Sequence, residues 1–124
     1  MSKPSILPFD VAVAQSLGAS FTTTPFDVRF QDNISFQFDW TTTDSVGTFD
    51  IQVSNNYAQP DPTTGVTNPG TWVSLPLSTT IATASANGQG FADINQISAG
   101  WIRAAFTRTS GTGTVNIKAM GKVI

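Results

Sequence analysis

The chain carries eight carboxylates, all of them aspartate: Asp10, Asp27, Asp32, Asp39, Asp44, Asp50, Asp61 and Asp93. Two facing carboxyls, one with a raised pKa, are the minimum for glycoside hydrolysis. Asp39 and Asp50 fall on the polar faces of two strands expected to pair, which would make them neighbours. Aspartates on a solvated strand face are the plainer reading and the one adopted. The chain has no histidine, the usual general base near neutral pH, and no cysteine for thiol catalysis or thiolate metal sites. No catalytic residue is assigned, and a non-enzymatic protein is expected.

Calcium ligands would come from Asp32, Asn33, Asp93 or Asn95 together with backbone carbonyls. These lack the dense spacing of a dedicated loop, so no metal and no cofactor is assigned. The run Ser110-Gly111-Thr112-Gly113 looks like a phosphate cradle only in composition; it lacks the helix and lysine of a P-loop and reads as a hairpin turn. Three tryptophans remain as side chains able to stack on a sugar. Trp40 alternates with core residues and is structural. Trp72 and Trp101 fall opposite the apolar residues of their strands. With Tyr57 and the outward-facing Arg103 they make the candidate interface or ligand surface.

The elements that must position these groups are strands. Ile34, Phe36, Phe38 and Trp40 alternate with Ser35, Gln37 and Asp39, a period of two that puts four large apolar groups on one face. After the polar cluster 41–47, Phe49, Ile51 and Val53 resume the alternation, so the two runs are expected to form an antiparallel hairpin. Val73, Leu75 and Leu77 share a face of a short strand that Pro76 confines to an edge or a bend. Ile81–Ala84 and Phe91–Ile94 are further short pairings. Ile102, Ala104 and Phe106 are expected inside on one long strand, and Val115, Ile117 and Ala119 on the next, with the glycine-rich turn closing a second hairpin. Nearer the start, Phe9, Val11 and Val13 alternate, and Ser20–Thr24 and Phe26–Phe30 suggest two strands bent at Pro25.

About eight or nine strands, with no helical periodicity of useful length, indicate an all-β antiparallel sandwich of jelly-roll type. Residues 1–8, with Pro4 and Pro8, read as an extended N-terminal arm, and 9–124 as the sandwich domain. The loop 55–70 is long, polar and rich in proline and glycine, which fits a binding surface or a tolerated insertion.

At 124 residues the chain is one domain, long enough to build its core without a metal or disulfide staple. Charged residues are only 11%, and the net charge of −2 offers nothing to a phosphate backbone, so no nucleic-acid partner is expected. No apolar run reaches the roughly 20 residues of a membrane span, and the first ten residues do not form a signal peptide.

Two stretches resemble known families. "GTFDIQVSNNY" with "GTWVSLPL", from Gly47 to Leu77, resembles a strand-loop-strand of galactose-binding-like, discoidin-type jelly rolls. "FADINQISAGWIRAAFTRTSGTGTVNIKAMGK", from Phe91 to Lys122, resembles their closing strands. Together with "QDNISFQFDW" the combination is also similar to small virion-associated β-sandwich proteins of bacteriophages, most specifically at the hairpin Thr107–Thr114. The resemblance implies a viral structural protein located in the virion and made in the host cytoplasm, as a capsid decoration or a tail or spike component. It implies other virion proteins as partners, a homo-oligomer with a trimer expected first, and as the alternative a module that binds a host surface glycan.

Overall fold

The computed structural model describes residues 6–28, 32–59, 62–95 and 99–122. They form ten strands: β1 (Ile6–Ser16), β2 (Phe21–Thr22), β3 (Phe26–Asp27), β4 (Asn33–Thr41), β5 (Val46–Ser54), β6 (Val73–Ser74), β7 (Ile81–Ala84), β8 (Gly88–Ile94), β9 (Trp101–Ser110) and β10 (Thr114–Lys122). The first sheet has the order β1-β10-β4-β8. The second has the order β2-β9-β5-β6, with β3 also beside β9 and β7 also beside β5. Every strand pairing among the described residues is antiparallel. Except among β2 and β3 and among β5, β6 and β7, each step along the chain crosses from one sheet to the other. That connectivity makes the sandwich a jelly roll.

Both expected hairpins are therefore corners. β4 pairs with β10 and β8, while β5 pairs with β9, β6 and β7, so the runs around Phe38 and Phe49 face each other across the sandwich. β9 and β10 are likewise split between the sheets. Alternation orients side chains on a strand and says nothing of which strand lies alongside it. The expected inner faces hold. Ile34, Phe36, Phe38 and Trp40 are buried, as are Phe49, Ile51, Ile102, Ala104, Phe106, Val115, Ile117 and Ala119. Phe49 joins the layers, with its ring centroid 4.9 Å from that of Phe38 and 4.8 Å from that of Phe106. Phe21 and Phe26 reach the core through β2 and β3, the two short strands on either side of Pro25.

Two expectations near the N-terminus change. Ile6, Leu7 and Pro8, read as part of an arm, pair with Lys122, Gly121 and Met120. Pro8 is tolerated because β1 is an edge strand. Residues 1–5 of the expected arm lie outside the described residues, as does the side chain of Phe9. The alternation of Val11 and Val13 also fails, because β1 shifts register twice, between Asp10 and Ala12 and between Ala12 and Gln15. Ala14 sits there at φ 49° with its N–H on Asn116 Oδ1, and Val13 turns outward, 71% exposed. In β6 the alternation breaks as well. Val73 is exposed, while Leu75 and Leu77 pack against the core.

The two corners lock one end of the sandwich. Buried Thr42 donates its hydroxyl to the Thr112 carbonyl at 2.5 Å and accepts from the N–H groups of Asp44 and Ser45. Thr112 N–H donates to the Asp44 carboxylate, and Leu17 N–H to the Gly113 carbonyl. The fully buried Ser45 hydroxyl pairs with that of Thr83 at 3.0 Å.

Candidate functional site

The antiparallel register of β5 on β9 brings Ser54 opposite Trp101 and Gln52 opposite Arg103. Ile102 and Ala104 take the inner face of β9, so Trp101 and Arg103 stand on the outer face of the second sheet. The chain leaves β5 at Ser54, runs through the long loop and returns at Trp72 beside the same sheet edge. Tyr57 and Trp72 thereby arrive over the outer face. The ring centroid of Tyr57 lies 5.5 Å from that of Trp72 and 4.9 Å from that of Trp101, the second contact edge-on. The Arg103 guanidinium sits 4.2 Å above the Trp72 ring, and its Nε donates to Gln52 Oε1 at 2.8 Å. The structure thus gathers all four side chains singled out from the sequence. Each is half-buried.

The loop is folded back on itself by its own polar groups. Asn56 Oδ1 accepts from the Ser54 hydroxyl at 2.9 Å and from Thr71 N–H at 2.7 Å, tying the two ends together. Ala58 N–H donates to the Asn68 carbonyl, and Asn68 N–H to the Gln59 carbonyl. The Asn68 side chain accepts from Gly70 N–H. Gly70 is required at this point: its φ is +91°, and a Cβ there would lie 2.7 Å from Trp72 Nε1 and 3.1 Å from Tyr57 Cβ. Trp72 Nε1–H donates to the Pro69 carbonyl at 3.0 Å, which fixes the ring. Asn55 Oδ1 accepts from Gly100 N–H, linking the loop base to the start of β9. Pro60 and Asp61 lie outside the described residues.

Gln52, Asn56, Asn68 and Gly70 are the members that sequence reasoning missed. Gln52 was legible in principle, since it shares the polar face of its strand with Asp50. Its partnership with Arg103 depends on β9 being the neighbour, which alternation does not tell.

The other candidate chemistries resolve differently. Asp39 pairs opposite Asn116 and Gln89 in the first sheet, whereas Asp50 pairs opposite Ala105 in the second. Both point away from the core, so the two carboxylates lie on opposite faces of the sandwich and cannot flank one bond. The expected glycine-rich hairpin turn is a corner whose polar groups are used internally; the Gly111 carbonyl, for example, accepts from Arg108 Nε. Among the described residues no three carboxylate, histidine or cysteine side chains gather to hold a metal. Trp40 is buried as expected, with its Nε1–H on the Ala86 carbonyl and its ring stacked on Phe49. No helix among the described residues is long and apolar enough to cross a membrane.

Comparison with known proteins places this architecture. No family model and no curated protein sequence matches the chain. Solved structures do match in fold. The SPBc2 prophage-derived protein YomS aligns over 99% of this chain and 97% of its own, with a TM-score of 0.55 at 16% identity. Infectious bursal disease virus, Gx strain, aligns over 98% of this chain with a TM-score of 0.60 at 9% identity. The VP2 subviral particle of the same virus gives 0.55 at 8%. This chain spans 32% of the length of each of those two viral chains. At these identities the shared property is the fold, an all-β sandwich found in phage-derived and viral proteins. The discoidin-type resemblance gains no support from these neighbours.

Proposed function

We propose that this chain is a non-enzymatic structural protein of a bacteriophage particle, a capsid decoration or a component of the tail or spike, working through protein–protein contacts. The observation that carries the reading is the end-to-end correspondence of its jelly roll with a prophage-derived protein of nearly the same extent. Particle-forming viral chains with the same fold support it from a second direction. Self-association belongs to the proposal, with a trimer expected first. Its support is the outer face of the first sheet, where Phe91 is 63% exposed, Met120 is 46% exposed and Val13 lies nearby on β1. Exposed large apolar groups rimmed by polar and charged side chains, here Asp10, Asp39, Asp93 and Lys118, are typical of contact surfaces. Mass spectrometry of purified particles from a phage encoding the chain should find it in stoichiometric amounts. Its absence from those particles would overturn the proposal.

The aromatic cluster favours a second reading, a virion-borne module that recognises a host surface glycan. Flat rings held rigid beside hydrogen-bonding side chains are what a sugar requires: apolar ring faces to stack on and polar groups at the rim.

A further inference from the structure

The glycan reading leaves the chemical class of sugar open, and Arg103 narrows it. Its guanidinium offers five N–H donors in a planar fork. One, Nε, is committed to Gln52, and the plane is held over the Trp72 ring. Among the described residues the remaining donors have no protein acceptor and the group has no ion-pair partner. Two carboxylates share this outer face: Asp50 stands opposite Ala105, two residues along, and Asp27 stands opposite Trp101. Burial lowers the pKa of the guanidinium from its usual value, because part of its hydration has been removed. A partly desolvated cation, fixed by two contacts and with no counter-ion among the described residues, gains from an incoming anion without first breaking a salt bridge to any of them.

The surroundings decide what kind of anion fits. Among the described residues Arg103 is the one cation here: Lys118 lies on the first sheet, 3.7 Å from the Asp10 carboxylate, and Arg108 turns to the Gly111 carbonyl. A nucleic-acid backbone needs a basic stripe, and a single cation does not make one. One acid group attached to a ring that can stack does match one guanidinium flanked by Trp72, Tyr57 and Trp101.

We propose that this cluster binds an anionic sugar of a surface polysaccharide, its carboxylate or phosphate taken by Arg103 and its ring stacked on the neighbouring aromatics. The proposal rests on the glycan reading above, and the experiment separates the two. Tryptophan fluorescence reports the site, since Trp72 and Trp101 line it and Trp40 is buried. The full chain is titrated with polygalacturonate as the carboxylate probe, a phosphomannan as the phosphate probe, and dextran as the neutral probe.

The expected result is saturable binding of at least one acidic polymer, weakened by added salt. Arg103→Gln should reduce that affinity roughly ten- to a hundredfold, the range for losing hydrogen bonds to a charged group. Arg103→Lys, which keeps the charge but not the fork, should fall between the two and serves as the test if the glutamine variant melts early. Which acidic polymer binds identifies the anion. Dextran binding as tightly as the acidic polymers would overturn the anionic assignment and leave the glycan reading standing. Binding of none of the three would overturn both. Acidic-polymer binding unchanged in either arginine variant, with melting as in wild type, would overturn the role given to Arg103.

Discussion

Replacing Phe49 with alanine probes the packing of the two sheets at its centre. The ring is 1% exposed and lies 4.8 Å from Phe106, 4.9 Å from Phe38 and 5.6 Å from Trp40, centroid to centroid. Phe38 and Trp40 belong to the opposite sheet, so the cavity left behind is walled from both layers and cannot close without moving backbone. Truncations of buried aromatics cost about 3–5 kcal/mol. Aromatic pairs add about 0.5–1.5 kcal/mol each beyond area burial, which places Phe49→Ala near the top of that range, at about 5 kcal/mol. Unfolding entropy of about 2.1 cal/mol/K per residue converts this to a fall in Tm of roughly 15–20 °C for a chain of this length. Total stability for such a chain is on the order of 6–19 kcal/mol, so the variant should fold with a much reduced margin. The control is Gln37→Ala, on the exposed face of β4 between Phe36 and Phe38, which should cost under about 0.5 kcal/mol. Urea melts followed by far-ultraviolet circular dichroism measure both, and a double-mutant cycle with Phe106→Ala should show coupling of about 1 kcal/mol. A loss below about 1.5 kcal/mol at Phe49, where buried-aromatic truncations cost at least twice that, would refute the packing described. So would equal losses at Phe49 and Gln37.

Thr42→Val should cost about 2–4 kcal/mol in the same melts, because it strips the Thr112 carbonyl of its donor and the N–H groups of Asp44 and Ser45 of their acceptor. Gly111→Ala should cost about 3 kcal/mol or more: φ is +80°, and the added Cβ would collide with the Asp44 carbonyl. Deleting residues 1–8 should lower stability by roughly 1–3 kcal/mol through loss of the Ile6, Leu7 and Pro8 pairings, and an unchanged thermal melt would return those residues to a free arm. Sedimentation of the wild-type chain at micromolar concentration should show a homo-oligomer, and Phe91→Asp should shift it towards monomer; a wild-type monomer would remove self-association through the first sheet.

Inside and outside were legible from residue spacing alone wherever a strand ran regularly. Phe36 and Phe38 on one face and Gln37 on the other follow from the two-residue period of an extended chain, a property each strand carries by itself. The same rule misplaced Val13, because the backbone at Ala14 leaves the extended region and two register shifts reset the alternation. It also misplaced Val73, where only two residues pair before the chain bends away.

Strand partnership was a different matter. A polar cluster between two alternating runs marks a reversal of the chain, and a reversal can close a hairpin or carry the chain to the other sheet. At 41–47 and at 110–113 the chain takes the second route, which sets Phe49 against Phe38 and Trp40 across the core while Phe106 packs beside Phe49 within its own sheet. That choice separated Asp39 from Asp50 and removed a carboxylate pair that had been plausible on spacing. The same choice set β5 against β9 and assembled Tyr57, Trp72, Trp101 and Arg103 from positions far apart in the chain. Their outward direction was written in the local pattern. Their meeting was decided only when non-local strand pairing, driven by burial of the opposite face, fixed where each strand lay.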